Sequence, residues 1–271
     1  MPALVAVALV AAAPPAPGQI SSQVVPVKMT LEAVPGQVLE REASLSNLGR
    51  EPVVVRVRLS DWRMDESGDM EFLPAGQLAA SLSGLVTFEP HEFSLDPGES
   101  GPIRIRLTMP ADGPATRWGL LLSEIRPVVA RPTSLGPRAI VELGTTLYLT
   151  RAHESPGAAA LTALEVRTVG RDSLALTVRV ANGGARHLYV RGALSLVDAA
   201  GTVVRGKDLA YGVLLPGSGR RFDWTPGVLS PGRYLARVTL DTGEPELLVG
   251  EKWFEWPQTD VPPPLAESAG R

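Results

Sequence analysis

The same order of signals is written twice in this chain. Asn47-Leu48-Gly49-Arg50-Glu51-Pro52-Val53-Val54-Val55 is echoed by Asn182-Gly183-Gly184-Ala185-Arg186-His187-Leu188-Tyr189-Val190, and Leu95-Asp96-Pro97-Gly98-Glu99-Ser100 by Leu215-Pro216-Gly217-Ser218. Each half has a polar Asn/Gly turn, a β-rich run, a Pro-Gly turn and a second β-rich run. A repeat of supersecondary size fixes the architecture before any single element is placed. The chain is expected to be all-β, with two tandem immunoglobulin-like β-sandwich domains.

The strands themselves read by period two. Val53, Val55, Val57 and Leu59 share one phase and Arg56 and Arg58 the other, and Ile103-Arg104-Ile105-Arg106-Leu107 repeats the pattern. Alternation of this kind marks a strand with one dry and one wet face. No helical period persists for three turns. The 27 glycines and 25 prolines suit many short strands joined by turns. A chain of 271 residues with 44% hydrophobic and 20% charged residues can bury two cores. The copies are unequal: Asn47 to Pro97 spans 50 residues and Asn182 to Pro216 spans 34, which predicts an extra hairpin or loop within 61–84 of the first.

Residues 1–18 read as a signal peptide, with a short apolar run from Leu4 to Ala13 and small residues at Ala16 and Gly18, although no positive charge precedes the run. The expected order is a first sandwich over 19–152, a linker over 153–157, a second sandwich over 158–256 and a disordered tail over 257–271. The segment from Arg126 to Arg138, with Pro127, Pro132 and Pro137, reads as a mobile connection between strands. An extracytoplasmic, periplasmic location follows from the leader, and no mature membrane span is expected.

Chemistry finds little footing. With no cysteine, thiolate metal sites and cysteine nucleophiles are excluded. His91, His153 and His187 lie in separate turns without metal-ligand spacing. Asp65-Glu66-Ser67-Gly68-Asp69 is a loose fragment of a calcium loop, better read as a solvated hairpin turn. Neither a nucleophile elbow nor a phosphate-cradling glycine loop is present. A net charge of −3 without a basic run gives no footprint for nucleic acid. Trp62 and Trp118 read as packing residues, while Trp253 and Trp256 keep open a sugar-stacking surface. The expectation is a non-enzyme without cofactor, metal or small-molecule substrate.

The first half resembles the periplasmic pilus-assembly chaperones, the PapD-like immunoglobulin sandwich. The resemblance rests on Leu95-Asp96-Pro97-Gly98-Glu99-Ser100 leading into Ile103–Leu107, then Met109-Pro110-Ala111-Asp112, Trp118–Leu122, Ser123-Glu124-Ile125-Arg126-Pro127 and the strand ending Leu147-Tyr148-Leu149. It covers roughly residues 24–151. It implies binding of a pilin-like or envelope-complex subunit by β-strand pairing at an edge of the first domain. The implied contacts are Ile140, Glu142, Thr146 and Tyr148. It also implies an interdomain ion network of Glu124, Arg151 and Asp241. The family's paired cations for a terminal carboxylate are missing: the arginine position falls near Leu31, with Lys28 as the nearest basic anchor, and the lysine position falls on Thr145 or Thr146. Residues 193–197, 198–201 and 229–234 resemble a widespread extracytoplasmic immunoglobulin-like module. The rival reading is a structural or adhesion module, a fixed subunit of a surface complex.

Overall fold

The computed structural model describes residues 20–128, 140–154, 157–169 and 173–257. The expected leader, most of the 126–138 connection, linker residues 155–156 and all but the first residue of the tail lie outside them. Among the described residues all regular structure is β.

In the first sandwich one sheet holds β1 (Ser22–Val25), β3 (Val38–Asn47), β8 (Ser100–Thr108) and β6 (Val86–Glu89), in that order. The facing sheet runs β2 (Lys28–Ala33), β10 (Val141–Arg151), β9 (Thr116–Pro127) and β4 (Val53–Met64). Both β5 (Met70–Pro74) and β7 (Glu92–Leu95) pair with β4, at its opposite ends. The predicted alternation decides which side chains fill the space between the sheets. Ile103, Ile105 and Leu107 join Val53, Val55, Val57, Leu147 and Leu149 in one core, while Arg104 and Arg106 stay exposed.

The second sandwich places β11 (Ala159–Val169), β12 (Ser173–Asn182) and β15 (Gly219–Trp224) against β14 (Val203–Leu214), β13 (Leu188–Asp198), β16 (Gly232–Asp241) and β17 (Leu248–Trp256). Its core centres on Val178, Val180, Leu194, Leu214, Val238 and Leu240 at one end and on Leu174, Leu176, Leu196, Ala236 and Trp256 at the other.

The repeated sequence is a repeated clamp. Asn47 ends β3, and its Nδ2 donates to the carbonyls of Glu51 (2.9 Å) and Leu95 (3.2 Å) while Oδ1 accepts from Gly49 N. Asn182 ends β12 and does the same with Arg186 (2.7 Å), Leu214 (3.0 Å) and Gly184 N. Each asparagine also grips its Pro-Gly turn: Gly98 N donates to Asn47 O, and Gly217 N to Asn182 O. Both glycines take positive φ, 81° and 71°, as the third position of such a turn requires. A buried amide with every group bonded explains why the motif needs Asn and Gly at those places.

The inequality of the copies also has a physical form. In the second sandwich β14 pairs along β13 as one strand, with register shifts at Val190/Gly192 and Leu196/Val197. In the first, the matching strand is cut into β5 and β7, and the intervening residues 75–91 leave the sheet to form β6 on the opposite one. Asp61, fully buried on β4, holds this excursion: its carboxylate accepts from Gly76 N (3.1 Å), Leu78 N (2.9 Å) and Ser81 Oγ (2.6 Å).

Candidate functional site

Strand β10 is half closed and half open. From Thr146 to Arg151 it pairs in parallel with β2 on one side and antiparallel with β9 on the other. From Val141 to Thr145 β9 is the only partner among the described residues. The cause lies at Pro26, between β1 and β2, where the chain crosses from one sheet to the other and β1 pairs with β3. The crossing is pinned by Thr146 N donating to Val27 O (2.9 Å) and Thr145 Oγ1 donating to Pro26 O (2.8 Å). Thr146 and Ala152 send their amides toward β2. The same phase carried upward turns the amides of Glu142 and Gly144 to the open side. No described strand pairs there.

Side chains along β10 alternate. Val141, Leu143, Leu147 and Leu149 face the core. On the other phase Glu142 pairs with Arg58 (2.8 Å), and Gly144 leaves room for Leu120, whose Cδ1 would lie 2.7 Å from an added Cβ. Apolar side chains stand exposed at both ends of the opening: Ile140 above, Val25 and Val27 below.

The four expected edge contacts therefore divide. Ile140 and Glu142 lie at the open half. Thr146 and Tyr148 do not, because β2 occupies their side of the strand; Tyr148 is buried against the second sandwich. Lys28, expected as a basic anchor, is the register partner of Thr146, and its Nζ sits 3.9 Å from the centre of the Tyr189 ring. The expected ion network does not assemble. Glu124 pairs with Arg126 (2.6 Å), Arg151 with Glu154 (2.8 Å) and Asp241 with Arg191 (2.6 Å).

What joins the sandwiches is mainly apolar and aromatic. Trp62, Trp118, Leu120, Leu122 and Tyr148 of the first pack with Val213, Leu215 and Tyr189 of the second. Trp118 Nε1 donates to Trp62 O (2.9 Å), so the two tryptophans are structural, but they serve the joint rather than a sandwich interior. His187 stacks on Tyr148 with centroids 4.1 Å apart, and Arg186 pairs with Glu32. Burial, with Lys28 and Arg186 nearby, pushes the His187 imidazole down to about 4. Burial raises the Tyr148 hydroxyl, helped by Tyr189. The sequence did carry one signal of the joint. Leu120-Leu121-Leu122 is apolar on both phases, as in a strand covered on both faces.

At the other pole Trp256 is buried, with Nε1 donating to Leu229 O (3.2 Å), while Trp253 is exposed beneath Arg233 (4.6 Å). Among the described residues no group of three His, Cys, Asp or Glu side chains is placed to hold a metal, and no helix is long and apolar enough to cross a membrane.

Fold and site define a protein of two immunoglobulin-like sandwiches with a half-open strand beside their joint. No family model matches the chain, and neither does any curated protein. Among solved structures it is similar to the class 5 fimbriae chaperone CfaA, at 12% identity over 86% of this chain and 99% of that one, with a TM-score of 0.49. It is also similar to the CupB2 chaperone of Pseudomonas aeruginosa (16% identity, 85% and 99% covered, TM-score 0.41). A third is the CsuC–CsuE chaperone–tip adhesion subunit complex of Acinetobacter baumannii (14%, 74% and 89%, 0.42).

Proposed function

We propose that this protein is an exported, non-enzymatic chaperone-like binder that takes a strand of a partner subunit onto the open half of β10. The observation that carries the reading is the interrupted pairing. Among the described residues, 141–145 have a sheet on one side and none on the other, with the Glu142 and Gly144 amides directed outward. An exposed edge is a template for an incoming strand, whose main-chain bonds supply affinity while alternate side chains select. Five residues at about 3.3 Å each make an opening of roughly 17 Å, enough for one short strand. The motifs that resemble pilus chaperones name the partner class, a pilin-like or envelope-complex subunit in the periplasm.

One observation favours a second reading, a permanently paired subunit of an envelope complex. Lys28 is held on Tyr189, and the family's lysine position falls on Thr145 or Thr146, so the paired cations that would grip and release a terminal carboxylate are not assembled.

The test is capture of partners from envelope extract by wild type and by Glu142→Pro. Proline removes one outward amide without touching the bonds to β9. Loss of partners from a variant that keeps the wild-type circular dichroism supports strand pairing, and an identical partner set overturns it. A partner that never exchanges in a chase favours the fixed-subunit reading.

A further inference from the structure

The turn between β4 and β5 read as a solvated hairpin. The structure instead seats it on the second sandwich. Glu66 O accepts from Arg221 N (2.6 Å), and the Glu66 carboxylate lies 3.8 Å from Arg179 Nε. The Arg220 guanidinium is buried between the two backbones. An added Cβ on Gly68 would lie 2.4 Å from its Nη2, and one on Gly212 would lie 2.6 Å from its Nη1, which also contacts Met64 Sδ at 2.9 Å. The turn is stiffened from within. Asp65 Oδ1 accepts from Ser67 Oγ (2.8 Å), Gly68 N (2.8 Å) and Asp69 N (2.9 Å), and Gly68 takes a φ of 100°.

We infer that the 65–69 turn is a clamp that fixes the angle between the two sandwiches, with Arg220 as its bolt. Three features point the same way. Contact comes from both backbone and side chain, so the register of the turn against β15 is set. At both glycines facing Arg220 an added side chain would have to displace the guanidinium. The clamp also lies beside the apolar joint through Met64, which packs against that cluster. A joint held by apolar packing alone tolerates sliding, whereas a buried guanidinium wedged between two chains specifies one geometry. Nothing in this inference depends on the partner strand proposed for β10.

The chain has no cysteine, so exposed Thr87 and Thr202, one on each sandwich, can be replaced by cysteine and spin-labelled as a unique pair. Distances measured between the labels by pulsed electron resonance should form a single narrow distribution in the otherwise native chain. Arg220→Ala and Gly68→Ala, which attack the clamp from opposite sides, should each lose that narrow peak while keeping the wild-type circular dichroism. A distribution unchanged in both overturns the inference. Amide exchange in the unmodified protein tests the clamp without any variant. The Arg221 amide should exchange as slowly as core amides of β15, and exchange at the rate of an open turn overturns the clamp.

Discussion

Asn47 and Asn182 each tie three pieces of chain together through one buried amide. Replacing Asn47 with alanine leaves the carbonyls of Glu51 and Leu95 and the amide of Gly49 without that partner. Each orphaned buried group costs on the order of 1 kcal/mol or more, so Asn47→Ala should lose about 3 kcal/mol in urea unfolding. His187 makes a pH prediction. Its folded value of about 4 lies below the ordinary 6.5 because burial disfavours the charged ring. The groups facing it are Lys28 on β2, Tyr148 on β10, Tyr189 on β13, and Arg186 with its partner Glu32. The unfolded chain therefore binds a proton that the folded one refuses. This contribution is complete above pH 6.5, is lost as pH falls from there through 4, and is flat below. The loss is on the order of 3 kcal/mol. Urea midpoints of wild type and His187→Gln should converge as pH falls across that window, and parallel curves would remove His187 as the cause. At this scale the asparagine was legible, because turn chemistry is local. The histidine was not: the groups that bury it come from β2 and β10, far away in the sequence, and no spacing joins them to it.

Elements differ in how well they could be read, for the same reason. The strands at 53–59 and 103–107 were plain, since alternation follows from one dry face. The excursion over residues 75–91 was visible only as a difference in length. Its path depends on Asp61, a charged residue in the middle of a strand, held by three donors that lie 15 to 20 residues away. Asp61→Ala should leave those donors unpaired and free the excursion. Limited proteolysis is expected to nick the variant between Gly76 and Ser83 at protease levels that spare the wild type. Equal resistance would show that Leu82, which is fully buried in the core, holds the segment unaided. Strand β10 was half legible. Ile140 and Glu142 do lie at its open half, but the point at which β2 closes the edge is set by where the chain crosses at Pro26. That crossing is a property of topology, not of β10's own sequence; it covers Thr146 with β2 and leaves Tyr148 in the joint.

At the scale of the molecule, the expected arrangement was two sandwiches on a charged hinge. The observed joint is apolar at its centre, with cationic and aromatic contacts at its margins. The difference has a thermodynamic consequence. An exposed ion pair contributes little to coupling, whereas each apolar side chain buried between domains contributes about 1.5 to 3 kcal/mol to the associated state relative to the separated one. Val213 and Leu215 are both nearly inaccessible in the joint, at 8% and 3% exposure. The two sandwiches should therefore unfold together, with one calorimetric peak that coincides with the optical transition. Val213→Asp places a carboxylate in the apolar cluster that holds Trp62 and Trp118, where its desolvation opposes the closed joint. Because Val213 stands outside the second sandwich's own core clusters, the variant should keep both folds and lose their coupling. Two separate calorimetric transitions are expected. A single transition merely shifted to lower temperature would mean that the joint is not what unites them.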